Sequence, residues 1–224
     1  MKQLSALLLG LSLCVPCGCN IAGAVDKLTT PDAVVEAKFQ PDNVPTVVFI
    51  DDRRNQVNPV RLRRAIADMA TRILIDEGDM TEMISPRDAM AAARQLDGAA
   101  EPSSVSAIGE AIGARQVIYV EVVAFRITRD GLTPDPLAYF NVRVLDLEAG
   151  ERVFPTDAQF EASAGYPLQV TIPPAQLGTL TGQGSPSLVR RALADRAGDA
   201  LGRLFVDTGY SAGGDRLIDV EPNS

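Results

Sequence analysis

Leu4 to Val15 is an apolar run centred on Leu7, Leu8, Leu9, Leu11 and Leu13. Lys2 precedes it, and Pro16 and Gly18 follow at once. It is shorter than the ~20 apolar residues that cross a bilayer as a helix, and it has the form of a secretory signal. Asn20 to Pro45 is rich in Asp, Pro and Thr with weak periodicity, and reads as a tether with a short helix around Ala33 to Phe39. Thr46 to Ile50 is a β-branched run ending in Asp51-Asp52-Arg53-Arg54, the pattern of a buried strand leading into a charged loop. Asn58-Pro59 predicts a helix start, with Asn as cap and Pro in the first turn. Leu62, Ile66, Met69 and Ile73 then recur at helical spacing, and Gly78 predicts the stop. Ile66 and Ile73 fall on the buried face and Arg63 on the outer one.

A short strand is expected near Met80 to Ile84, a helix from Ser85-Pro86 through about Ala92, and a short helix carrying Val105, Ile108 and Ile112. Val117 to Phe125 is the strongest strand pattern. Asp130-Gly131 marks a turn, and Tyr139 to Leu147 alternates with Phe140, Val142 and Val144 on one face. Glu148-Ala149-Gly150 turns the chain into Arg152 to Phe154. Further strands are expected near Gln159 to Ala164 and Leu168 to Ile172. Pro173 to Pro186 holds three Pro and three Gly and reads as a mobile loop. Ser187 to Val206 predicts the last helix, striped by Leu188, Ala192, Leu193, Ala197, Leu201 and Leu204. The predicted fold is one mixed α/β domain, helices packed on a central sheet. Its organisation is signal peptide 1–18, tether 19–45, domain 46–208 and flexible tail 209–224.

Composition narrows the chemistry. The 224 residues carry 21 Lys plus Arg against 29 Asp plus Glu, a formal charge of −8. That argues against a nucleic-acid partner, which needs a basic footprint. There is no histidine, so Ser-His and Cys-His pairs, His-ligated zinc and histidine bases are excluded. Cys14, Cys17 and Cys19 all lie in the first twenty residues, so the body has no disulfide or thiol chemistry.

Pro16-Cys17-Gly18-Cys19 resembles a bacterial lipobox, in which a small residue precedes the cysteine that becomes the lipidated N-terminus; here that is Cys19. Ala22-Gly23-Ala24 offers the rival site, ordinary cleavage by signal peptidase. The first places a palmitate-type anchor on Cys19 in the cell envelope, facing the periplasm; the second releases an unanchored protein. Two acyl chains suffice for stable anchoring.

The order of elements also resembles the α/β domain shared by the TolB N-terminal domain and the envelope lipoproteins related to CsgG and LpoB. The matching pieces are Thr46 to Ile50, the helix from Leu62 to Gly78, Pro86-Arg87-Asp88, Gly113-Ala114 before Val117-Ile118, and Leu145-Asp146 leading to Gly150. The resemblance spans about Val44 to Phe154. It implies a mixed α/β envelope domain, and no long transmembrane hairpin is present to imply a pore.

Candidate chemistry is sparse. Gly209-Tyr210-Ser211-Ala212-Gly213 matches a nucleophile elbow by letter, but it follows a helix and has no base: the only lysines are Lys2, Lys27 and Lys38. Asp51 and Asp52 end a strand where ligands often bind. Adjacent side chains point apart, and Arg53 and Arg54 would neutralise them, so an ion-paired loop is favoured over a metal site. Gly109 to Gly113 lacks the Lys-Ser/Thr of a phosphate loop. Arg53, Arg54, Arg61 and Arg64 form a possible contact face for an acidic partner or anionic lipid; Tyr119 and Tyr139 read as core positions. The expectation is a non-enzymatic envelope lipoprotein presenting a domain for protein contact, with no catalytic residues, cofactor or metal. The alternative is a secreted module binding a small molecule or peptidoglycan.

Overall fold

The strand Thr46–Asp51 (β2) lies at the centre of the molecule, with five of its six residues buried. A computed structural model describes residues 34–97, 102–156, 160, 164–182 and 185–209. The signal peptide, Cys19, the tether up to residue 33 and the tail beyond Gly209, with Ser211, lie outside the described residues. The chain starts with Val34–Val35 (β1) and continues through β2, Arg61–Asp76 (α1), Met83–Ile84 (β3), Pro86–Leu96 (α2) and Val105–Ala111 (α3). It goes on to Gln116–Thr128 (β4), Pro134–Asp146 (β5), Glu151–Phe154 (β6), Tyr166–Thr171 (β7), Pro174–Gly182 (α4), Pro186–Arg203 (α5) and Thr208–Gly209 (β8).

The result is the mixed α/β domain the pattern predicts. The main sheet runs β3-β2-β4-β5, with β6 and β7 both paired to β5. β2 is parallel to β3 and β4, and the remaining pairs are antiparallel. Alternation decides the two faces. Val48, Ile50, Ile118, Val120, Phe140, Val142 and Val144 point to one side and are buried beneath α1 and α5. Val47, Phe49, Val117 and Tyr119 point to the other, where Ala89, Ala92 and Ile108 of α2 and α3 cover them.

α1 and α5 approach closely because α5 carries glycine at the crossing. A Cβ on Gly198 would lie 2.7 Å from the Ile66 carbonyl, and one on Gly202 would lie 2.8 Å from Ile73 Cβ. Ascending positions of one helix thus meet ascending positions of the other, so the two run in the same direction. Ile66 and Ile73 are buried as expected.

Several expectations change. Asn58-Pro59 does not cap the helix: Pro59 opens a preceding turn, its carbonyl accepting from the Leu62 amide at 2.9 Å, and α1 starts at Arg61 with no side-chain cap. Gly78 follows α1 as expected, but Asp79 takes the left-handed conformation, φ 53°. α5 buries Val189 rather than Leu188, which is 37% exposed. Pro173 to Pro186 is not an open loop: α4 occupies most of it, started by Pro174 and packed on the core through Leu177 and Leu180. The strand expected near Gln159 to Ala164 falls largely outside the described residues. Where a helix is expected around Ala33 to Phe39, Val34–Val35 form a short strand and residues 36–39 are neither helix nor strand. β1 pairs with β8, the Lys38 amide donates to the Leu204 carbonyl at 2.8 Å, and Phe39 stacks near Phe154.

Candidate functional site

The loop between β2 and α1 is built around one carboxylate. Asp52 continues the inward phase of Val48 and Ile50, so its side chain is fully buried. It is satisfied there by the Gln56 and Val57 amides, each at 2.8 Å, and by Arg63 Nε at 2.9 Å. Arg63 also donates to the Asn55 side chain. Arg63 is therefore not on the outer face, as the helical phase suggested; it reaches back over the loop and is only 17% exposed. Asp52 is likewise not part of a solvated loop neutralised by Arg53 and Arg54.

Asp51 points the other way, as adjacent strand residues must. Its Oδ2 accepts from Tyr119 at 2.6 Å and from Arg53 Nε at 2.9 Å. The bond to Asp51 holds the Arg53 guanidinium above its ordinary pKa. Burial, helped by the same carboxylate, pushes the Tyr119 phenol well above its ordinary value, so Tyr119 serves as a donor. Arg143 lies over the Tyr119 ring at 4.7 Å and reaches Glu121 at 3.8 Å. Its Nε is buried without a hydrogen-bond partner among the described residues.

These groups line an open cleft of about 460 Å³ on the sheet face that α2 and α3 leave uncovered. It holds three guanidiniums, from Arg53, Arg54 and Arg143, against the carboxylates of Asp51 and Glu121. Arg54 makes no ion pair among the described residues. The arrangement suits polar contact with a carboxylate-bearing surface. On the other side of the loop, a cleft of about 560 Å³ opens between Asn55 to Pro59, the end of β4 and the start of α5. Among the described residues no three metal-donor side chains converge.

Of the expected contact face, Arg53 and Arg54 share the first cleft. Arg61 and Arg64 stand exposed on α1, outside both clefts, and Arg64 pairs with Asp68 at 3.1 Å. Cys19 lies outside the described residues. The sequence reading missed Arg143 and Arg190. Arg143 was visible as a charge on the polar phase of β5, and Arg190 as one near the start of α5; neither has a motif around it.

No protein-family model matches the sequence, and no curated protein matches it either. Solved structures give distant likenesses. The hypothetical protein CT253 from Chlamydia trachomatis is 17% identical over 70% of this chain and 90% of its own, at a TM-score of 0.40. The PelC dodecamer protein from Paraburkholderia phytofirmans is 12% identical over 79% of this chain and 100% of its own, at 0.41. Lipoprotein GNA1162 from Neisseria meningitidis is 13% identical over 63% of this chain and 91% of its own, at 0.35. TM-scores this low assign the chain neither a family nor a function.

Proposed function

We propose that the chain is a non-enzymatic bacterial cell-envelope lipoprotein, anchored through lipidated Cys19 and presenting its α/β domain for protein contact. The observation that carries the reading is the leader itself: a basic residue, an apolar run too short to span a bilayer, and Gly18 before Cys19. Among the described residues no helix is long and apolar enough to cross a membrane, so a lipid is the means of attachment this reading supplies. The resemblance to the TolB, CsgG and LpoB group points the same way. The missing histidine supports a contact role over catalysis.

Geometry gives this reading an orientation. Residues 34–39 are bonded to the end of α5, where α1 also finishes. The two clefts lie where both helices begin. α1 has 16 residues and is about 24 Å long at ~1.5 Å per residue. The described residues therefore begin at one end of the domain and the arginine-bearing clefts lie at the other.

The test is metabolic labelling with palmitate followed by membrane fractionation. Wild type, Cys14→Ser and Cys17→Ser should take up label and sediment with membranes, and Cys19→Ser should do neither. An unlabelled, soluble wild-type protein starting at Val25 would overturn the anchor in favour of the unanchored module.

A further inference from the structure

We infer that the cleft between the β2–α1 loop, the end of β4 and the start of α5 docks an acidic segment of a partner protein that carries an apolar side chain. The inference rests on the protein-contact reading above and names the kind of partner. In a chain of net charge −8, no carboxylate among the described residues lines this cleft. Two of its lining residues are arginines, Arg126 and Arg190. Arg126 shares the single carboxylate of Asp135 with Arg129, at 2.8 and 3.3 Å. Arg190 is half-buried and has no hydrogen bond or ion pair among the described residues. A guanidinium held partly out of water with its donors unused favours an incoming carboxylate, which it can bind with two parallel bonds.

The rest of the cleft matches a polypeptide. Asn58 contributes a side-chain amide with no partner among the described residues, able to donate to or accept from a peptide backbone. Phe125 and Ile127 give an apolar floor, and Val60, which follows the lining residue Pro59 in the chain, is 51% exposed. The volume, about 560 Å³, is within the ~300–1,000 Å³ of ligand sites and admits a few residues of chain. A lipid surface is the poorer match. The site is concave, and it lies at the opposite end of the domain from Val34, where the described residues begin. Opposite charge across the contact would also speed encounter and reject basic partners.

The experiment places the photo-crosslinker p-benzoylphenylalanine at Thr128, which lines the cleft, in the full-length chain within its native envelope. A second chain carries it at Arg72, exposed on α1, as the control. Mass spectrometry identifies the adduct and maps the crosslinked segment. Thr128 should capture a protein segment in which Asp and Glu outnumber Lys and Arg beside an apolar residue, and Arg72 should not. Arg190→Glu should reduce the adduct tenfold or more, and Arg190→Gln should reduce it less, with thermal melting checked for both. If Arg190→Glu melts early, Arg190→Gln decides. The inference is overturned by no adduct at Thr128, by an adduct with phospholipid, by a segment without acidic excess, or by indifference to both Arg190 changes. Palmitate labelling of Cys19 in the same samples separates the outcomes. A failed crosslink on a labelled protein removes the docking site and leaves the anchor standing.

Discussion

Asp52 has no exposed side-chain area, and a carboxylate removed from water must find donors or lose its charge. It finds two amides and Arg63, and in doing so fixes the loop that walls both clefts. Removing one partner leaves the other charge buried and unpaired. Asp52→Ala and Arg63→Ala should therefore each cost about 3–5 kcal/mol by denaturant unfolding. The double variant should cost clearly less than the sum. Arg64→Ala, which breaks an exposed pair, should stay within about 0.5 kcal/mol. Asp130 makes a different, exposed use of its carboxylate. It accepts from the Leu132 and Thr133 amides and the Thr133 hydroxyl at the tip of the β4–β5 hairpin. Those bonds, the Thr133 amide first, lower its pKa from 3.8 to about 2. A depressed acid pKa stabilises the turn above pH ~4 and is lost as pH falls through about 2. Protection of the Leu132 and Thr133 amides, taken relative to their intrinsic exchange rates, should fall over that window and show no such step in Asp130→Asn. The letters Asp51-Asp52 do not say which carboxylate is buried. Phase alone does not say either, because both faces of β2 are buried: Asp52 is in step with Val48 and Ile50, and Asp51 with Val47 and Phe49. Arg63 was not accessible from phase either, because a long side chain can leave the face its Cα occupies.

At the scale of elements, the contact between α1 and α5 depends on small residues more than on the leucine stripe of α5. Gly198→Ala and Gly202→Ala would each force a methyl into space held by α1 and should cost about 1–3 kcal/mol. Gly178, within α4, has nothing within 4 Å of a built Cβ, so Gly178→Ala should be neutral or stabilise by up to ~1 kcal/mol. Thermal melts of the three variants check the contrast. The β-strands were legible because one side of the sheet is wholly buried and the other polar along β5, which makes alternation plain. α4 was hidden by its composition. Its prolines sit at the boundaries, where they start a helix rather than break one, and only Leu177 and Leu180 report its packing. The stripe of α5 was displaced by a residue at its start because Gly and Ala, not Leu, supply much of its buried face.

At the scale of the molecule, the clefts are legible only in the fold. Arg54, Arg143 and Arg190 come from a loop, a strand and a helix, and no spacing in the chain links them. The fold gathers them at the end where β2 finishes and α1 and α5 begin. It brings residues 34–39 to the opposite end, beside Leu204 and Asp207. The 15 residues from Cys19 to Ala33 would let the domain stand up to about 50 Å from a bilayer at ~3.3–3.6 Å per residue. On the proposed reading that reach would keep the clefts free for a partner, and it depends wholly on where the mature chain begins. The decisive measurement is mass spectrometry of the N-terminal peptide of protein purified from the producing cell's envelope. The account predicts a peptide beginning at Cys19 with diacylglyceryl and acyl mass added. A peptide beginning at Val25 with no added mass would contradict it.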